Sequence, residues 1–197
     1  MTQELINGLK NLEGKARGVT MQTDASYVSK KMGQDALVKL QQKTKEMGWE
    51  VDYANIKTMD WYPIGMRVLS LLAAKEAFGL GDKEIEEMGN FAPKYSFIAS
   101  TMLRYFLSIE QVFKEASKYW EKHYSIGELE AYEIDIEKKY AILRLKNFEV
   151  HPVICTYFCG YFLRISQLVM KSEKITAEET KCIFKQGPYH EFLVKWI

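Results

Sequence analysis

The feature that most constrains this chain is a change of hydrophobic periodicity near residue 126. Before it, apolar residues recur at the spacing of helices. After it come, in order, two β-prone segments (127–135 and 140–145), a strongly apolar helical segment (153–170) and two more strand-like segments (174–185 and 189–196). A sheet face and an apolar helix both need covering, so this order predicts a four-stranded antiparallel sheet with one helix packed across it. We therefore predict an α+β fold whose C-terminal part is β-β-α-β-β.

The first two thirds of the chain predict about five to six helices. Proline suits the first turn of a helix, and glycine suits the C-terminal cap. Prolines mark the start of some of these segments, and glycines mark the C-terminal end of others. The predicted helices are 2–16, 27–47, 63–78, 82–89 (capped by Asp82 and closed by Gly89), 93–107 and 108–123, with 18–23 as a short strand or an extended linker. The helical half thus precedes the sheet.

Length and composition suit one domain with a sizeable core. The chain has 197 residues, of which 47% are hydrophobic. We divide it into a helical arm (1–17), a helical subdomain (18–125) and the β-β-α-β-β subdomain (126–197). A net charge of +1 gives no support for nucleic-acid binding. Because no apolar run has the length of a signal peptide or a membrane span, we expect a cytoplasmic protein.

Three cysteines, Cys155, Cys159 and Cys182, occur without an export signal. Their odd number argues against a disulfide framework and for free or metal-bound thiols. Cys155 and Cys159 are four residues apart and therefore share one face of the apolar helix. Cys182 and His190 stand on either side of the Gly187-Pro188 turn, where they either bind something or pack.

Several short motifs follow one another along residues 17–196. They are Val28 to Gly33, Tyr62-Pro63, Ala77 to Gly89, Phe158-Cys159-Gly160 and the final hairpin. Together they resemble the superfamily of heme nitric oxide/oxygen binding domains, 4-vinyl reductase domains and small TRAPP tethering subunits. This resemblance implies an α+β ligand-binding or sensor domain.

The heme-binding branch of this superfamily uses an axial histidine and a Tyr-x-Ser-x-Arg motif that holds the propionates. Phe113 stands where that histidine should, and the stretch Phe148 to Pro152 has lost every polar group of the motif. His123 lies about three turns past Phe113 and does not match the axial position. The resemblance therefore implies a member without heme ligands, for which we expect no cofactor other than zinc.

The final hairpin resembles that of the 4-vinyl reductase branch, for which the resemblance implies two cysteines separated by seven residues around a turn. Cys182 and His190 keep this spacing, with a nitrogen donor in place of the second sulfur. With Cys155 and Cys159 they provide four candidate donors for a tetrahedral zinc site. The alternative is core packing, because cysteine behaves as a small apolar residue.

These observations predict a non-heme domain that binds or senses a small apolar molecule between the helices and the sheet and acts through a partner protein. The candidate ligand-binding residues are Trp61, Tyr62, Leu103, Phe106, Phe113, Tyr157 and Tyr161. The alternative is that these side chains fill a solid core.

Two other functions remain open. The TRAPP resemblance implies an assembly protein that forms a homodimer through its helical half. An enzyme acting on a small hydrophobic substrate through Cys159 or Cys182 is the third possibility. Its support is thin, because the chain has no phosphate-binding glycine loop and no Gly-x-Ser-x-Gly motif, and Glu178-Glu179 has the pattern of solvated charges. We assign no catalytic residue and lean against an enzyme.

Overall fold

The computed structural model of the chain describes residues 3–96 and 108–197. The helical half contains α1 (Gln3–Lys10), β1 (Lys15–Arg17), α2 (Gly18–Met32), α3 (Asp35–Glu46), β2 (Trp61–Pro63), α4 (Ile64–Phe78), α5 (Asp82–Tyr95), α6 (Ile109–Lys114) and α7 (Ala116–Glu121). The C-terminal part contains β3 (Glu128–Asp135), β4 (Tyr140–Lys146), α8 (Pro152–Val169), β5 (Ile175–Lys181), a 3₁₀ turn (Ile183–Lys185) and β6 (His190–Trp196). Among these described helices, none is long and apolar enough to cross a membrane.

The four C-terminal strands form one antiparallel sheet in the order β3-β4-β6-β5, which confirms the predicted α+β fold. Leu143 on β4 and Val194 on β6 are buried, as alternation along a half-covered strand requires. On the same face, the Phe192 ring lies 6.3 Å from that of Phe158 on α8, measured between centroids. The apolar helix therefore covers the sheet.

Helix α5 crosses α8 in backbone contact at two glycines. A Cβ atom added to Gly89 would lie 1.9 Å from the carbonyl oxygen of Tyr157, and one added to Gly160 would lie 1.8 Å from that of Glu86. The sequence prediction that Gly89 closes its helix is wrong, because α5 continues to Tyr95. This glycine permits a close approach inside the helix instead of ending it.

Three predictions for the N-terminal part of the chain are also wrong. The helix predicted over 27–47 is two helices, α2 and α3, separated at Gly33, whose φ of 93° is left-handed. Residues 18–23 are not extended but form the first turns of α2. There the hydroxyl groups of Thr20 and Thr23 donate hydrogen bonds to carbonyl groups three residues earlier. Helix α1 ends at Lys10, and the chain then enters β1, which pairs with β2.

The predicted helices over 93–107 and 108–123 have different outcomes. Pro93 lies inside α5 and starts no new helix, and residues 97–107 lie outside the described residues. Ser108 caps α6, since its hydroxyl oxygen accepts a hydrogen bond from the backbone N–H of Gln111. The helical stretch after it is divided, because α6 ends at Lys114 and α7 begins at Ala116.

A buried ion pair joins α2 to α4. The side chains of Asp24 and Arg67 are each 1% exposed, and the guanidinium donates to the carboxylate. Ser70 also donates to this carboxylate over 2.9 Å, and the Tyr53 hydroxyl donates to Ser70 over 2.9 Å. The Arg67 guanidinium stacks 4.4 Å from the centroid of Tyr157 on α8. This network therefore ties three helices together.

Asp24 should make the stability of the protein fall as pH rises above about 4. Burial raises its pKa to about 6 from an ordinary 3.8, although Arg67 and Ser70 act in the opposite direction. Because the pKa is raised in the folded state, its contribution is fully present below pH 3.8 and is lost as pH rises through 6, by about 3 kcal/mol in total. Urea unfolding of the wild type and of Asp24→Asn between pH 4 and 7 measures this. The wild type should lose stability relative to the variant, and a constant difference would contradict the prediction.

Candidate functional site

A cavity of about 90 Å³ lies between the helices and the inner face of the sheet. Residues of α2, α5, α6, α7, α8, β3, β4 and β6 line it, and most of the lining is apolar. Its aromatic side chains are Phe113, Tyr119, Trp120, Tyr124, Tyr157, Phe158, Tyr161 and Phe162. A cavity with such walls suits apolar molecules rather than water.

The seven residues predicted to bind ligand fall into three groups. Phe113, Tyr157 and Tyr161 line this cavity. Trp61 and Tyr62 lie on β2 and are not among the lining residues; the Arg17 guanidinium stacks 3.7 Å from the Trp61 ring centroid. The Tyr62 hydroxyl accepts a hydrogen bond from a backbone N–H. Leu103 and Phe106 lie outside the described residues.

Trp120 organises the aromatic wall. Its ring stacks on Tyr124 with 4.5 Å between centroids and meets Phe158 edge-on at 5.3 Å. Its indole N–H donates to the carbonyl of Ile126 over 2.8 Å, so the polar end of the side chain is satisfied. These contacts hold α7 against α8 and give the wall a defined shape.

His123, just after α7, is the distinctive polar group of the lining. Its Nδ1 lies 3.0 Å from the carbonyl oxygen of Tyr119. Because a carbonyl only accepts, Nδ1 carries the proton and Nε2 keeps its lone pair. That Nε2 is buried and has no hydrogen-bond partner among the described residues, and burial lowers the pKa of His123. The cavity therefore contains a neutral imidazole with an unsatisfied acceptor.

No role in the cavity was predicted for His123 from the sequence. The available signal was its four-residue separation from Tyr119, which brings the two residues to one helix face. That spacing indicates their contact. It does not reveal which way the second ring nitrogen faces, since this depends on the packing of α7 against the sheet and α8.

The residues that the structure describes in this lining do not fit a heme. The two propionates of a heme need cationic or hydrogen-bonding partners, and no lysine or arginine is among the described residues that line the cavity. A volume of about 90 Å³ is also far below the roughly 300–1,000 Å³ of ordinary cofactor and ligand sites. His123 offers an imidazole nitrogen, but a single donor does not supply the remaining requirements.

A cluster of metal-binding side chains lies outside the cavity, where α8 meets the β5–β6 hairpin. It consists of Cys155, Glu179, Cys182 and His190, whose donor atoms all lie within 4.8 Å of one another. Three of these four residues, Cys155, Cys182 and His190, were predicted from the sequence as metal ligands. The fourth predicted ligand, Cys159, is outside this set. Glu179 was not predicted as a ligand, because the polar residues around it in the sequence indicated a solvated charge.

The hairpin turn brings Cys182 next to His190. Pairing of β5 with β6 ends at Lys181 and Glu191, after which Cys182 leaves the ladder. Its carbonyl oxygen accepts 2.9 Å hydrogen bonds from the backbone N–H groups of Lys185 and Gly187. The chain therefore closes a compact loop whose first residue turns toward α8. A simple two-residue hairpin would not place Cys182 there.

Comparison with known proteins gives a fold. No family model matches the chain, and no curated protein matches it. An oxygen-binding H-NOX domain related to soluble guanylate cyclases superposes with a TM-score of 0.65 at 14% identity, covering 91% of this chain and 94% of that one. An H-NOX protein from S. oneidensis in the Fe(II)NO state gives a TM-score of 0.69 at 11% identity, covering 92% and 99%.

A third structure, the Fe(II) unliganded H-NOX protein from K. algicida, gives a TM-score of 0.63 at 12% identity and covers 92% of this chain and 96% of that one. At such identities the likeness concerns architecture. The resemblance seen in the sequence is thereby confirmed for the heme nitric oxide/oxygen binding branch at the level of fold. This chain has the fold of H-NOX domains.

Proposed function

We propose that the chain is a non-heme sensor domain that binds a small, mostly apolar molecule carrying one hydrogen-bond donor. The observation that carries this proposal is the unpaired Nε2 of His123 at an aromatic cavity. A buried acceptor without a partner costs about 1–3 kcal/mol, and a ligand that donates to it recovers that cost. The donor distinguishes this ligand from a purely apolar one.

The size of the cavity restricts the ligand to about one small ring. A dry cavity of roughly 150 Å³ takes benzene, and this one has about 90 Å³. Five-membered rings therefore make suitable probes. Pyrrole and furan have nearly the same shape, but pyrrole has an N–H donor whereas furan has only an acceptor.

We expect pyrrole to bind this protein about five times more tightly than furan, since one net hydrogen bond contributes about 1 kcal/mol. His123→Phe removes the acceptor and should abolish this preference. Titration of the isotope-labelled chain with each ring, followed by amide chemical shifts, measures both affinities. A preference for pyrrole that persists in His123→Phe would contradict the proposed role of this histidine.

Ala116→Phe tests the place of binding, because Ala116 lines the cavity and a benzyl group there fills it. Binding of both rings should be lost. Ala54→Phe is the matched control, since Ala54 is exposed in the loop before β2 and should leave binding unchanged. Absence of saturable binding in the wild type would refute the proposal. So would heme absorption in the purified protein.

Transmission to a partner would pass through α6 and α7. Both helices are short, they meet at Glu115, and Phe113 and Ala116 on either side of that joint line the cavity. Short helices depend on tertiary contacts for stability, so a ligand that packs against them should reduce their opening. We expect pyrrole to slow hydrogen exchange over 109–121 more than over β4. Equal effects would contradict this route.

A further inference from the structure

A polar groove of about 350 Å³ lies between α2, the loop before β2 and the end of α5. Its volume falls within the roughly 300–1,000 Å³ of small-molecule sites. Val19 and Thr23 also line the aromatic cavity, whereas the other lining residues belong to the groove alone. From this lining we propose that the groove is a further binding site, for a small neutral molecule that carries several hydroxyl groups. The lining residues are Val19, Gln22, Thr23, Ala25, Ser26, Tyr53, Thr58 and Tyr95.

The hydrogen-bonding groups of the groove favour hydroxyl groups in the ligand. Gln22 contributes an amide group, and Ser26, Thr58 and Tyr95 contribute hydroxyl groups. Amide and hydroxyl groups can both donate and accept hydrogen bonds, as the hydroxyl groups of a polyol or a sugar do. A purely apolar ligand would instead remove water from these groups without replacing its hydrogen bonds. The lining therefore selects for a polyhydroxylated molecule.

The charge of the lining favours a neutral ligand. Among the described residues, no acidic or basic side chain lines the groove. The ammonium group of Lys30 lies 3.5 Å from the ring centroid of Tyr95, but Lys30 is not one of the lining residues. A charged ligand would lose part of its hydration in the groove without gaining a counter-ion there.

Hydrogen bonds fix the shape of the groove before any ligand binds. The amide of Gln22 donates to the carbonyl oxygen of Ile56 over 2.7 Å and accepts from the Thr58 hydroxyl over 2.9 Å. It keeps a second N–H group and a second lone pair for a ligand. The Tyr53 hydroxyl donates to Ser70 on α4 over 2.9 Å. Because the loop before β2 is already tied to α2 and α4, ligand binding does not have to order it.

The probe for this site is myo-inositol, an uncharged ring with a hydroxyl group on every carbon. Titration of the isotope-labelled full chain should give saturable amide shifts in residues 19–26 and 53–58. Cyclohexanol has the same ring with a single hydroxyl group and should bind at least about fivefold more weakly, which is the factor that one net hydrogen bond contributes. Absence of saturable shifts in these residues, or equal affinity for cyclohexanol, would refute the proposal.

Two substitutions of Ser26 test the place of binding. Ser26→Leu puts an apolar side chain into the groove and should abolish saturable binding of myo-inositol. Ser26→Ala removes only the hydroxyl group and should weaken binding by about fivefold, which provides a test if the leucine variant does not fold. Ser29→Leu is the matched control, because Ser29 lies on the same helix outside the lining, and it should change the affinity by less than about twofold.

Ala116→Phe separates this site from the one proposed in the aromatic cavity. Ala116 lines the cavity but not the groove, so this variant should bind myo-inositol as the wild type does. Failure of the cavity to bind small rings would thus leave this test unaffected. Loss of myo-inositol binding in Ala116→Phe, or equal losses in Ser26→Leu and Ser29→Leu, would overturn the assignment of the groove as the site.

Discussion

Replacing Arg67 with methionine is expected to lower the free energy of unfolding by about 3–5 kcal/mol at pH 7. The substitution leaves the Asp24 carboxyl buried without its cation, and both side chains are only 1% exposed. Ser70 still donates to the carboxylate, but one hydroxyl does not offset the loss of a full charge. Asp24 then takes up a proton, so the loss should be smaller at pH 5 than at pH 7. Urea unfolding at both pH values measures the difference.

Two variants separate the burial of this charge from loss of packing. The double variant Asp24→Leu/Arg67→Met removes both charges, and apolar replacements of buried ion pairs are often neutral or stabilising. It should therefore recover most of the loss. Lys75→Met is the control at an exposed pair, where Lys75 lies 2.6 Å from Asp82, and it should cost less than about 1 kcal/mol. A double variant as unstable as Arg67→Met would mean that shape, rather than charge, determines the effect.

The order of elements in the C-terminal part was predictable because the hydrophobic period itself changes there. Residues of β4 alternate between buried and partly buried, and α8 is too long and too apolar to be anything but a covered helix. The Asp24–Arg67 pair was not predictable. Charged residues in helices are usually solvated, and 43 positions separate the two partners, so only the packing of α2 on α4 brings them together.

The two candidate sites were likewise predictable from the sequence only in part. The four-residue spacing of Cys155 and Cys159 correctly indicates one helix face, but it does not say which of the two thiols meets the hairpin. The position of Glu179 follows from the end of the β5–β6 ladder and the loop after Cys182, which depend on tertiary hydrogen bonds. For the cavity, aromatic composition indicates Phe113, Tyr157 and Tyr161, whereas the unpaired nitrogen of His123 emerges only from packing.

One glycine was misinterpreted, because glycine has two uses that look alike in a sequence. Gly79 ends α4 in a left-handed conformation with φ of 63°, as a C-terminal cap should. Gly89 lies inside α5 and has no such role; its missing side chain allows the backbone of α8 to approach. The spacing of residues in the sequence cannot distinguish a glycine that ends a helix from one that allows close contact, because the distinction depends on which atoms pack against the glycine.

This distinction predicts that Gly160→Ala lowers the free energy of unfolding by about 3 kcal/mol or more. The new methyl group would lie 1.8 Å from the carbonyl oxygen of Glu86 and 2.8 Å from the backbone nitrogen of Asn90. Both are backbone atoms of a helix, so no side chain can rotate away and the two helices must separate. Overpacking of this kind costs 1–3 kcal/mol even where side chains yield. Thermal and urea unfolding measure the loss.

Gly8→Ala is the control for the helical preference of alanine itself. Gly8 lies in α1, and no heavy atom of the described residues would come within 4 Å of its added methyl group. This variant should gain about 0.5–1 kcal/mol, because alanine favours helix over glycine. Alanine is favoured over glycine in the helix at position 160 as well. The measured loss of stability of Gly160→Ala is therefore the cost of the clash minus this helical gain. If Gly160→Ala were as stable as the wild type, the backbone contact between α5 and α8 would be wrong, and so would the position of α8 against the cavity.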